Sequence, residues 1–171
     1  ECTFKKCKPT QYNEEYISSI FVSQLNEIVV EKSQFYDCGD SLVDNYLIFI
    51  ELDYIKCTIK NCTFDNQNDG YTTGKIVSAF ESNLLLLGNK FIKSNFESIL
   101  IKPGSRSAEP FQLIENHFVD CTTGRLLVNS EDGGFSTNPI IKGNTFERID
   151  ISSELFVFSF NYYPCTLLFE S

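Results

Sequence analysis

The stretch Phe111-Gln112-Leu113-Ile114-Glu115-Asn116-His117-Phe118-Val119-Asp120-Cys121 is one unit of a repeat that runs through the chain. With Phe118 as position 0, apolar residues stand at −7 and −5, and the frame has a small or amide-bearing residue at −2 and a mostly small residue at +3. The same frame fits Cys2-Thr-Phe4-Lys-Lys-Cys7, Ser33-Gln-Phe35-Tyr-Asp-Cys38, Cys62-Thr-Phe64-Asp-Asn-Gln67, Asn89-Lys-Phe91-Ile-Lys-Ser94 and Asn144-Thr-Phe146-Glu-Arg-Ile149. The anchors Phe4, Phe35, Phe64, Phe91, Phe118 and Phe146 are separated by 31, 29, 27, 27 and 28 residues. A fixed period of this size is the mark of a solenoid, in which each unit buries its apolar face only against its neighbours.

Upstream of the anchors, the −7 and −5 pairs are Ile28/Val30, Cys57/Ile59, Leu84/Leu86, Phe111/Leu113 and Pro139/Ile141. Alternation with period two is the pattern of a strand with one buried face. A second apolar run follows each anchor after a variable polar stretch: Ile20–Val22, Leu47–Ile50, Ile76–Phe80, Ile99–Ile101, Leu126–Val128 and Leu155–Phe158. Polar Gly, Asn and Asp clusters such as Asn66-Gln-Asn-Asp-Gly70 separate the runs. No segment has helical period, which excludes helical repeats, and the leucine-rich pattern L-x-x-L-x-L fits poorly.

Two or three short strands in a unit of about 28 residues make an all-β parallel β-helix of about six coils. Successive coils then stack in parallel roughly 4.8 Å apart. The Phe series is expected as an internal ring stack, each offset pair adding about 0.5–1.5 kcal/mol beyond burial. Asn89, Asn116 and Asn144 are expected as an amide ladder at a sharp corner, where Asn tolerates left-handed backbone.

The unit resembles the coils of right-handed parallel β-helix proteins of the pectin-lyase-like type. It is also similar to the repeats of polymorphic-outer-membrane-protein-type surface proteins, without their G-G-A-[ILV] element. The resemblance implies a right-handed solenoid and a surface or extracellular setting. It spans essentially the whole chain, read as a single segment over residues 1–171.

Glu1 falls at −3 of the first unit, and Cys165–Ser171 reads as the beginning of a seventh. No amphipathic cap is evident at either terminus, and the chain contains no Met. Solenoids need polar caps, so the segment is expected to be open at both ends and to belong to a longer solenoid, with further coils of the same chain among its partners.

The chain has 14 Lys and Arg against 23 Asp and Glu, a net charge of −9, which excludes a phosphate backbone as partner. No apolar run approaches the roughly 20 residues of a membrane span.

Seven Cys raise the questions of zinc and disulfides. Cys2-x4-Cys7 and Cys57-x4-Cys62 fall on different walls of different coils, so they do not converge as zinc pairs do. Most Cys read as small interior fillers. The candidate disulfide is Cys7 with Cys38, both at +3 of adjacent coils, and Cys121 is expected as a thiol.

Candidate chemistry is sparse. His117, the one His, falls at an outward position with no fixed nucleophile. No G-x-S-x-G, P-loop or H-E-x-x-H occurs. The G-H-G and R-I-K elements of β-helix hydrolases are absent, and Arg106, Arg125 and Arg148 stand in or beside different loops. Asp37 and Asp120 share position +2 but lie three coils apart, roughly 14 Å, too far for a glycosidase pair. Asp65, Asn66, Asn68 and Asp69 read as a solvated turn rather than a Ca²⁺ loop. Asn61-Cys62-Thr63 fits an N-glycosylation sequon, with Asn61 pointing outward. Tyr36, Tyr162 and Tyr163 are outward aromatics able to stack on sugars or a partner.

These readings predict a non-enzymatic structural or adhesive segment, presenting an extended face to a protein or glycan surface, with no catalytic residue, metal or cofactor. The expected location is extracellular or at the cell surface. The alternatives are a polysaccharide-active β-helix with its catalytic coils elsewhere, and a scaffold in a large intracellular or ciliary assembly.

Overall fold

A computed structural model of the chain describes residues 1–5, 10–11, 17–22, 27–38, 45–50, 56–66, 75–79, 83–93, 95–96, 99–103, 111–123, 126–129, 140–151, 158–159 and 168–170. They form strands, corners and no helix. Strands distant in sequence pair side by side in parallel, and the chain is a parallel β-helix.

The first wall is built on the Phe anchors. Thr3–Lys5, Gln34–Tyr36, Thr63–Asp65, Lys90–Ile92, His117–Val119 and Thr145–Glu147 stack in sequence order. Their register pairs Phe4 with Phe35, then Phe64, Phe91, Phe118 and Phe146 in turn. In each three-residue strand the middle side chain points inward by the strand alternation. Among the described residues, Phe35, Phe64, Phe91 and Phe118 are the largest fully buried side chains. Their rings lie 4.6–5.0 Å apart, within 11° of parallel, and Phe4 and Phe146 extend the stack at its two ends.

The second wall carries the aliphatic alternation. It consists of Glu27–Glu31, Lys56–Lys60, Asn83–Leu87, Gln112–Ile114, Ile140–Lys142 and Leu168–Glu170. Val30, Ile59, Leu86, Leu113 and Ile141 fall in one register, and Ile28, Cys57 and Leu84 in another. Apart from the half-buried Val30, these side chains are buried.

A third wall holds seven strands: Thr10–Gln11, Ile17–Val22, Asn45–Ile50, Lys75–Ala79, Ile99–Pro103, Leu126–Asn129 and Phe158–Ser159. All its pairings are parallel except the first, where Thr10 faces Ser18 and Gln11 faces Ile17. A narrow strip of Asn95–Phe96, Thr122–Thr123 and Asp150–Ile151 stands between the first and third walls in chain order.

The corner from the second wall to the first is two residues long. Its first residue takes left-handed backbone: Lys32 at φ 49°, Asn61 at 53°, Gly88 at 63°, Glu115 at 54° and Gly143 at 62°. This corrects the expectation that the left-handed residue is the Asn at −2; it stands one place earlier, at −3. The left-handed step turns the next side chain inward, and that inward direction is what position −2 requires. The corner after the Phe strand repeats the device at Asp37, Lys93, Asp120 and Arg148, with φ between 48° and 52°.

Backbone hydrogen bonds continue through the corners. Lys32, Asn61, Gly88 and Glu115 each donate their N–H to a carbonyl of the next coil, at 2.8–3.1 Å. The N–H groups of these corner residues are therefore satisfied from coil to coil, as are those of the strands.

Candidate functional site

The inner side of the first corner holds a hydrogen-bonded column. Asn116 Oδ1 accepts from the Asn89 backbone N–H at 3.0 Å and from Asn89 Nδ2 at 2.9 Å. Asn144 Oδ1 accepts the same two donors from Asn116, at 2.9 and 3.0 Å. Asn89 Oδ1 accepts the Cys62 N–H at 3.0 Å. Each amide nitrogen also donates to a carbonyl of the preceding coil: Asn89 to Ile59, Asn116 to Leu86 and Asn144 to Leu113. Asn89 and Asn116 are each only 1% exposed, so these bonds are sheltered from water.

Cys62 fills the corresponding place one coil earlier. Its thiol donates to the Val30 carbonyl at 3.6 Å and the Lys60 carbonyl at 3.4 Å. Those carbonyls match, in register, the Leu86 and Ile114 carbonyls that Asn116 Nδ2 reaches. Ser33 donates to the Glu31 carbonyl from the same position. The requirement at −2 is thus a small side chain with a donor, and Ser, Cys and Asn all meet it.

The second corner works alike. Cys38 donates to the carbonyls of Phe4 and Tyr36 at 3.7 and 3.4 Å. Cys121 donates to those of Phe91 and Val119 at 3.5 and 3.4 Å. The Cys7 end of the candidate disulfide lies outside the described residues. Cys57 makes a different use of sulfur: it packs among aliphatic side chains, and burial pushes its thiol pKa up to about 12. Burial also raises the Cys62 thiol. Neither is a thiolate nucleophile at neutral pH. Cys2 is exposed at the −2 place of the first unit.

Titratable groups line the outer surface, and several of the described ones pair from coil to coil. Glu27 meets Lys56 at 3.3 Å, and Glu31 meets Lys60 at 2.9 Å. The Lys60 ammonium hydrogen-bonded to Glu31 holds that carboxyl below the usual carboxylate range. His117 Nε2 lies 2.9 Å from Glu147 Oε1. Arg148 grips Asp120 with two nitrogens, Nε on Oδ1 and NH2 on Oδ2, and its hydrogen bond holds the Asp120 carboxyl low. His117 therefore stands beside a carboxylate, while Asp37 and Asp120 lie in different coils of the stack. Among the described residues, no group of three or more His, Cys, Asp or Glu is placed to hold a metal ion.

Tyr36 lies half-buried on the outer face of the first wall. Its hydroxyl donates to Gln34 Oε1 at 3.2 Å, and Lys5 Nζ stands 5.7 Å from the ring centroid. Tyr162, Tyr163, Asn68, Asp69, Arg106 and Arg125 lie outside the described residues, while Asn66 is buried. Asn61 is exposed on the corner. Among the described residues, no helix is long and apolar enough to cross a membrane.

The thiol donors were not evident from the sequence, where Cys reads as a small apolar filler. The signal was present in the alternation of Ser, Cys and Asn at −2, three residues that share only small size and a donor.

Compared with protein-family models, with curated proteins and with solved structures, the chain matches none.

Proposed function

We propose that this chain is a non-enzymatic solenoid segment that offers its outer walls as an extended binding face to a glycan or protein partner, outside the cell or at its surface. One observation carries the reading. Along the described outer face, carboxylates repeatedly pair with a basic side chain one coil away: Glu27 with Lys56, Glu31 with Lys60, Asp120 with Arg148, Glu147 with His117. A catalytic acid or base needs a carboxylate or imidazole poised for substrate, not matched to a cation one coil away. The outer first wall also carries a half-buried aromatic, Tyr36, with the polar groups of Gln34 and Lys5 beside it. An aromatic face beside amide and ammonium donors is suited to stacking on a sugar ring.

The pectin-lyase-like kinship belongs to the same reading. Its supports are the flat parallel walls, the inward ring stack and the corner amide ladder.

A glycan array probed with the labelled chain tests the proposal, together with an assay for new reducing or unsaturated sugar ends on any glycan bound. Binding without cleavage is expected, and it weakens by at least tenfold in Tyr36→Ala. Release of new sugar ends from a bound polysaccharide overturns the non-enzymatic reading.

A further inference from the structure

Asn61-Cys62-Thr63 is the one Asn-x-Ser/Thr sequence in the chain, and its side chains divide sharply in the fold. Cys62 is 1% exposed, with its thiol committed to two interior carbonyls. Asn61 stands outside on the left-handed corner. Its backbone N–H is used, donating to the Leu87 carbonyl at 2.9 Å. Its carboxamide, in contrast to those of Asn89, Asn116 and Asn144, takes no hydrogen bond among the described residues.

The corner column also leaves room. Asn61 is followed in register by Gly88, and a Cβ on that glycine would come within 2.7 Å of Asn61 Oδ1. Oδ1 is therefore the atom laid against the next coil, and Nδ2 is turned away from it. Lys32 precedes Asn61 in the column and is itself exposed. A bulky group on Nδ2 would displace no wall residue and no ladder bond.

We propose that Asn61 is an N-glycan acceptor. When the chain passes through a compartment that holds an oligosaccharyl transferase, Nδ2 attacks the anomeric carbon of a lipid-diphosphate-linked oligosaccharide. The N–C bond forms, the bond from carbon to diphosphate oxygen breaks, the lipid diphosphate leaves with the electron pair, and one Nδ2 proton passes to a base of the transferase. The product is a glycan standing on the corner between the first and second walls, clear of both. The inference rests on the exported location proposed above but not on adhesion, and its test reads modification rather than binding.

The chain is secreted from eukaryotic cells behind an added leader, one portion is treated with a glycan-removing amidase before digestion, and the tryptic peptides of treated and untreated chain are weighed. The expected result is an oligosaccharide mass on the Asn61 peptide, with the amidase leaving Asp at that position. Asn61→Gln and Thr63→Ala abolish it, while Thr63→Ser, which keeps the hydroxyl, retains it. The glycosylated chain keeps the circular dichroism and melting temperature of the unmodified chain. An unmodified Asn61 on the secreted chain overturns the proposal, as does modification found only on misfolded material.

Discussion

Asn116 Oδ1 accepts two hydrogen bonds from Asn89, one from its backbone N–H at 3.0 Å and one from its amide nitrogen at 2.9 Å. One oxygen thus ties both the main chain and the side chain of the coil before. A buried donor left without an acceptor costs about 1–3 kcal/mol. Asn116→Ala strands two such donors on Asn89 and frees the Leu86 and Ile114 carbonyls. The expected loss is about 3 kcal/mol or more in urea unfolding. Asn116→Asp does not rescue it, because a carboxylate cannot donate to those carbonyls and would be buried. Asn144→Ala costs less, since Asn144 is half-exposed.

Cys62 and Asn116 make the same two kinds of carbonyl contact from the same position. Cys62→Asn is expected to lengthen the ladder by one rung, with stability equal to or above that of the native chain. Cys62→Ala removes both thiol donors and leaves a small void, lowering stability by about 1–3 kcal/mol. Thermal melts of the two variants side by side check the opposite signs.

Glu115 and Gly88 hold equivalent left-handed corners, at φ 54° and 63°. A side chain in that conformation costs roughly 1–2 kcal/mol. Glu115→Gly relieves it and is expected to raise stability by about 0.5–1 kcal/mol after the added freedom of the unfolded chain is deducted. Gly88→Ala incurs the cost and pushes a methyl against Asn61 Oδ1, so its melting temperature falls.

The fold class was legible because Phe recurs at one place in each unit and flanking residues alternate. With side chains on opposite faces of a strand, a parallel, in-register stack brings the six anchor Phe residues together on one face. The corner was less legible. Gly88 and Gly143 mark the left-handed position by their own freedom, but Lys32, Asn61 and Glu115 occupy it too, so no residue type singles out −3. The coil-to-coil ion pairs were hidden for another reason. Asp120 meets Arg148 across 28 residues, and that partner is chosen by register rather than by local spacing.

The two carboxyls held low give the pH dependence its sign. Asp120 hydrogen-bonded to Arg148, and Glu31 to Lys60, have folded pKa values below their unfolded ones. Their contribution is present above the unfolded carboxylate range, about 4, and is lost as pH falls through the lower folded values. Asp120→Asn therefore melts below the native chain at pH 7 and level with it at strongly acid pH. Melts across that range check the convergence. Because both pairs are exposed and screened, added salt narrows the gap at neutral pH.

Parallel, in-register stacking of the coils is the claim on which the rest depends, and nuclear Overhauser spectra of the isotope-labelled chain test it most directly. The account predicts cross-peaks from the Phe118 ring to both Phe91 and Phe146, and from the Asn116 side-chain amide to that of Asn89, residues 27 positions apart. Assigned Phe118 and Asn116 signals whose contacts join only near neighbours in sequence, or antiparallel partners, would contradict it.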